Sequence, residues 1–141
     1  MITIEEKREF TSTSEEIWKI ISDISRSDWV PGVDSIELDG NKRVFKMSGM
    51  GRLVEEIVEC NDITMELSYS AIETMAPIDH HLAKIKLAPN EDKTTFIWTT
   101  EIDPPEYAEA IRQGMLASLD QLEVVLKNLK KPFSSLFLLV R

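Results

Sequence analysis

The order of its segments constrains this chain more than any single residue does. A strand leads into a capped helix and a Trp-x-Pro turn, then six alternating segments follow one another, and a long amphipathic helix closes the pattern. No link between strands after residue 33 is long enough for a crossover helix, so the strands must pair antiparallel. A sheet of this kind with one long helix to cover it curls around that helix, and such a wrap tends to leave a hollow between the layers.

Residues 2–10 alternate, with Ile2, Ile4, Glu6, Arg8 and Phe10 on one face and Thr3, Glu5, Lys7 and Glu9 on the other. Glu6 and Arg8 are expected to be a largely solvated pair at the end of the sheet, because charges are seldom fully buried. Thr13-Ser14-Glu15-Glu16 reads as a capping box, and Ile17, Ile20, Ile21 and Ile24 form a helical stripe flanked by Trp18, giving a helix over 14–25. Ser27, Asp28, Pro31 and Gly32 break it. Strands follow at 33–39, 42–48, 52–60, 63–72, 80–87 and 93–102. Asp39-Gly40-Asn41 marks a hairpin turn. In 52–60 the apolar pairs Leu53-Val54 and Ile57-Val58 break the alternation, as a bulge or a half-turned edge would. After Asp103-Pro104-Pro105, Ile111, Met115, Leu119, Leu122, Leu126 and Leu129 step by three or four, which predicts a helix over 106–130. Lys127, Lys130 and Lys131 gather at its end, and Pro132 stops it.

At 141 residues the chain is one domain, with 1–132 as the folded unit and 133–141 as its apolar tail. A net charge of −9 argues against nucleic acid or an anionic membrane as partner. A lone cysteine, Cys60, and an N-terminus without a basic start or an apolar core predict a cytoplasmic protein with no disulfide. No segment is long and apolar enough to span a bilayer, so stable membrane insertion is not expected. The tail from Phe133 to Val140 has six apolar residues in eight. It is expected to dock on its own domain, with a homodimer contact or membrane association as alternatives.

The run Phe10-Thr11-Ser12-Thr13-Ser14-Glu15-Glu16-Ile17-Trp18, followed by Asp23 and Trp29-Val30-Pro31-Gly32-Val33, resembles the opening of the START-like (SRPBCC) superfamily, in its polyketide cyclase/dehydrase and lipid transport branch. The resemblance covers about residues 2–130, and the chain departs from many members after Pro132. It implies an α+β helix-grip fold, in which a curved six- or seven-stranded antiparallel sheet wraps around the long C-terminal helix, with two short helices after the first strand. It also implies a cavity between sheet and helix. The superfamily includes carriers, cyclases and binding proteins, so the fold alone does not choose an activity.

The concave face is expected to line that cavity with Phe45, Met47, Met65, Leu67, Tyr69, His81, Ala83, Trp98, Met115 and Leu119, an apolar wall with few polar groups. Three readings follow. The first is binding or transport of a small hydrophobic molecule, such as a lipid, a quinone or a polyketide-like compound. The second is a cyclase or dehydratase using His81 and Tyr69 as acid and base. The third is a protein-interaction module with a filled core. Titratable groups on the concave face are too sparse to favour catalysis. His80 and His81 are adjacent in a strand and point to opposite faces, so they cannot jointly grip a metal, and no metal or cofactor is expected. Glu55, Glu56 and Glu59 are assigned to solvated faces. The Trp29 ring is expected to plug the end of the grip, with a gate for ligand entry as the alternative role.

Overall fold

The computed structural model describes residues 1–130. Seven strands build one curved sheet: β1 (Ile2–Phe10), β2 (Ile36–Asp39), β3 (Lys42–Met47), β4 (Gly51–Asn61), β5 (Glu66–Glu73), β6 (His80–Asn90) and β7 (Lys93–Asp103). Their order is β1-β7-β6-β5-β4-β3-β2, antiparallel throughout. Helix α1 spans Ser14–Ile21, and α2 spans Ala108–Leu129 after a single 3-10 turn at Pro105–Tyr107. The apolar tail at 133–140, with its expected docking on the domain or a second subunit, lies outside the described residues.

The capping box forms as the sequence predicts. Thr13 Oγ1 accepts from the Glu16 amide at 3.2 Å, and Glu16 Oε1 accepts from the Thr13 amide at 3.0 Å. A buried relay holds the start of α1 to the far strand: Ser14 Oγ and Thr94 Oγ1 are 2.9 Å apart, and Thr94 Oγ1 donates to the Ser12 carbonyl at 2.9 Å. The helix ends at Ile21, four residues before the expected boundary. The second short helix implied by the resemblance does not form; turns carry the chain from Ser22 to Gly32. Pro31 lacks an amide to donate, and Gly32 takes a left-handed φ of 84°, so neither propagates a helix. In its place a bidentate ion pair from Arg26 to Asp28, at 2.6 and 2.8 Å, fixes the turn. Gln121 on α2 donates to the Asp28 carbonyl at 3.1 Å.

The strand predicted at 33–39 starts only at Ile36, and the one at 63–72 starts at Glu66. Met65 takes a positive φ of 54° in the tight turn before β5. The broken alternation in β4 is a pair of register shifts against β5, between Val54 and Glu55 and between Ile57 and Glu59. Leu53, Glu55 and Ile57 keep one face by alternation, and the shifts leave Ile72 of β5 and Val58 of β4 without a partner between them. The expectation for Glu6 and Arg8 is corrected: both reach across to α2. Glu6 accepts from Arg112, and Arg8 Nη1 lies 2.7 Å from Asp120 and 3.3 Å from Glu123. Facing the helix rather than the sheet end, these charges fix where α2 lies along β1.

The buried apolar residues fall into two clusters. In the larger, Ile17, Ile20 and Ile21 of α1 join Leu67, Ile85, Leu87, Phe96, Leu119 and Leu122, all at or near zero exposure. The smaller contains Val33, Phe45 and Leu53. The main core is solid where α1 and the C-terminal half of α2 cover the sheet together. Among the described residues no helix covers β3 to β5 after α1, and the interior opens there.

Candidate functional site

The opening is a cavity of about 250 Å³ between the two clusters. Its floor comes from β3 to β7, its roof from the N-terminal half of α2, and one wall from the Trp29-Val30-Pro31 turn. Small residues keep it hollow. Ala110, Gly114, Ala117 and Ser118 form a stripe on α2 facing the space, and Ala71 and Ala76 face it from the sheet side. A Cβ placed on Gly114 would meet nothing within 4 Å. Exposed Pro31, Met50, Ala110, Gly114 and Ala117 sit at the rim.

Six of the ten residues predicted to line the cavity do so: Phe45, Met47, Tyr69, His81, Trp98 and Met115. The other four do not. Leu67, Ala83 and Leu119 share faces with the lining residues but sit in the solid core at 0–1% exposure. Met65, beside the tight turn, packs against the edge of that core. Trp29 is 5% exposed, and its ring centre lies 5.9 Å from that of Trp98. It closes the end of the grip as the sequence suggests, and it is also a wall of the cavity.

The polar part of the wall is a row across the sheet. Register places Arg43 opposite Glu55 and Glu55 opposite Ala71. His81 then bonds to Ala71 across the next strand pair. Arg43 Nε donates to Glu55 Oε1 at 2.6 Å, and the guanidinium carbon sits 4.7 Å from the Tyr69 ring centre. Glu55 is thus not on a solvated face: its side chain is 14% exposed and that of Arg43 is 9% exposed. Sequence reasoning missed both, although Arg43 falls two residues before Phe45 on a face already identified as concave. The missed small-residue stripe on α2 has the same kind of signal, at spacings of four, three and one.

His81 is fixed in one protonation form. Its Nδ1 accepts the Ala71 backbone N–H at 2.9 Å, and a backbone amide can only donate. In the neutral ring the proton therefore sits on Nε2. Burial pushes the His81 pKa below its ordinary 6.5, outweighing the upward pull of Glu55. Burial, then the Glu55 charge, pushes Tyr69 well above the usual phenol range, against weaker opposite pulls from Arg43 and from Trp98, whose indole N–H approaches the phenol without hydrogen-bond geometry. Tyr69 and His81 ring centres are 6.0 Å apart. His80 faces outward, with Nε2 3.0 Å from Glu101. Among the described residues no three His, Cys, Asp or Glu side chains are placed to hold a metal ion, and no helix is long and apolar enough to cross a membrane.

The lowered His81 pKa has a consequence for stability. The unfolded chain takes up a proton near 6.5 where the folded chain resists it, so this contribution is full above that value and is lost as pH falls below it. Asp28, whose carboxylate Arg26 holds below its ordinary 3.8, loses its contribution only in a more acidic range. The thermal midpoint should therefore drop between about pH 7.5 and about pH 5.5, and His81→Gln should flatten that drop. Equal slopes in the two proteins would show that His81 is not held neutral.

Comparison with known proteins agrees with this architecture. Residues 1–131 match the family described as polyketide cyclase / dehydrase and lipid transport. The sequence matches no curated protein. Among solved structures, protein XoxI from Bacillus cereus superposes with a TM-score of 0.84 at 19% identity, covering 94% of this chain and all of that one. A START superfamily protein from Mycobacterium smegmatis gives 0.78 at 12% identity, over 91% of this chain and 99% of that one. Norcoclaurine synthase from Thalictrum flavum, solved in complex with dopamine and hydroxybenzaldehyde, gives 0.74 at 16% identity, over 93% and 89%. At these identities the likeness establishes the helix-grip fold of the START/SRPBCC superfamily. With its sequence matched from end to end of the described domain, the chain belongs to the polyketide cyclase / dehydrase and lipid transport family.

Proposed function

We propose that this protein binds and carries a small hydrophobic molecule in the cavity between the sheet and α2. The observation that carries this reading is the hollow itself: about 250 Å³ walled mainly by Trp29, Phe45, Tyr69, Trp98, Ile111 and Met115. Apolar area removed from water at ~25 cal/mol per Å² supplies the affinity. An apolar cavity of ~150 Å³ holds one benzene, so this one suits a compact molecule of one or two rings better than a long acyl chain. The exposed, unpaired thiol of Cys60 fits a reducing compartment, and we place the protein in the cytoplasm.

Two features favour binding over turnover by His81 and Tyr69. A general base needs a free lone pair, and the one on His81 is spent on the Ala71 amide. Burial raises the pKa of the Tyr69 phenol, which makes it a weaker acid than an ordinary tyrosine. The interaction-module reading requires a filled core, which the cavity opposes. Native mass spectrometry of the purified protein, before and after organic extraction, tests the proposal. Extractable apolar mass, or saturable uptake of compact apolar probes by the extracted protein, is expected. A protein that is empty and takes up none of them would overturn it.

A further inference from the structure

Trp98 is 5% exposed, lines the cavity, and its Nε1–H is a buried side-chain donor with no partner among the described residues. An unsatisfied buried N–H is costly, and native proteins seldom tolerate one without a purpose. The other two indoles are placed differently. Trp18 donates to Asp62 Oδ1 at 2.9 Å, and the Trp29 ring is tilted by 49° against that of Trp98. His81 supplies a second donor. With Nδ1 committed to the Ala71 amide, its Nε2–H makes no hydrogen bond among the described residues, and the side chain faces the same space.

The two donors stand apart on the wall. His81 is opposite Ile102 while Trp98 is opposite Ile85, an offset of four residues along the strands. At ~3.3 Å per residue that separates their backbones by roughly 13 Å, so a single oxygen is not shared by both. Among the described residues the full charges in the wall are Arg43 and Glu55, and they neutralise each other at 2.6 Å. A carboxylate entering here would meet Glu55 beside the guanidinium it sought. A cationic amine would meet Arg43 in the same way. Beside the Tyr69 and Ser118 hydroxyls, which can donate or accept, the polar chemistry left unused among the described residues is hydrogen-bond donation by the two neutral N–H groups.

Resting on the reading that the cavity holds a small hydrophobic molecule, we propose that it selects an uncharged, ring-sized compound bearing a carbonyl-type acceptor, whose oxygen is held by the Trp98 Nε1–H. A second acceptor at the far end of the molecule would meet the His81 Nε2–H. Trp98 thereby becomes the residue that distinguishes a ketone from the hydrocarbon of the same shape.

The matched probes are 1-tetralone and tetralin, which share a carbon skeleton and differ at one carbon, a carbonyl in place of a methylene. Titrated into the purified full chain, 1-tetralone should bind about fivefold to tenfold more tightly. It should move the Trp98 indole N–H proton resonance downfield, and tetralin should not. The Trp18 indole, already bonded to Asp62, is the internal control. Trp98→Phe should bring the two affinities together while tetralin still binds. The resonance measurement on the unaltered protein stands even if that variant fails to fold. Equal affinities with no selective shift at Trp98 would overturn the acceptor proposal and leave the cavity reading intact. Failure of both probes to bind would overturn the two together.

Discussion

In Ala71→Phe, uptake of compact apolar probes should fall at least about a hundredfold while the fold holds. Ala71 lies in the middle of the cavity floor, between Glu55 and His81, and its side chain faces the hollow. Phenylalanine there places a benzene-sized group in a space of about 250 Å³, when a cavity of ~150 Å³ holds one such ring. Ala71 is extended strand backbone beside the register shift at Ile72, and an aromatic residue is favoured in a strand, so the thermal midpoint should stay level or rise as the void fills. Gly114→Leu blocks the same space from the helix side, where a Cβ meets nothing within 4 Å, and exchanging a helical glycine adds up to ~1 kcal/mol of helix stability. Either variant binding 1-tetralone as the unaltered protein does would place the binding site elsewhere. Equilibrium titration followed by intrinsic tryptophan fluorescence reads this directly, since Trp29 and Trp98 are both in the wall.

Phe96→Ala should have the largest effect on stability, about 3–5 kcal/mol. Phe96 has no exposure, and its ring lies 5.8 Å from both Phe10 and Trp98. It joins the strand that enters α1 to the strand that carries the site, in the part of the interior that is solid. Truncation there forfeits transfer energy and leaves a second void beside the first. Against a total of 5–15 kcal/mol for an ordinary domain, this is a fifth of the stability or more. Urea denaturation would measure it, and a loss below about 1.5 kcal/mol would mean that the surroundings collapse to fill the gap. The contrast between the two positions follows from the fold. Filling at residue 71 is tolerated because no atoms occupy that space, and emptying at residue 96 is costly because the packing there is complete.

The elements that depend on local patterns were legible in the chain. The capping box at Thr13 and Glu16, the Asp39-Gly40-Asn41 hairpin and the alternation of β7 each follow from residues within one turn or one strand. Even the bulged strand announced itself through its paired apolar residues. The site was legible only by face. Tyr69 and Leu67 share a face of β5, as do His81 and Ala83 on β6, but periodicity says nothing about where along a strand its cover ends. That boundary is set by α1 stopping at Ile21 and by the small residues on α2, which an apolar stripe of Ile111, Met115 and Leu119 conceals. Arg43 and Glu55 meet only through the register of β3 and β4, and the His81–Ala71 bond only through that of β5 and β6. Those registers depend on turns and bulges whose geometry a single sequence does not fix. The solvated assignments of Glu6, Arg8 and Glu55 failed for a related reason. Each charge is partly withdrawn from water beside an opposite charge on another element, and such pairing lowers the cost of leaving water.

The interior of the domain is hollow at one end. Crystals of the unaltered protein pressurised with xenon should show the gas bound between Trp29, Tyr69, Trp98 and Met115, because a dry apolar cavity takes up xenon while a packed core does not. Xenon at that position, absent in Ala71→Phe, is the predicted result. An unaltered protein without xenon there, its side chains meeting across the gap, would contradict it.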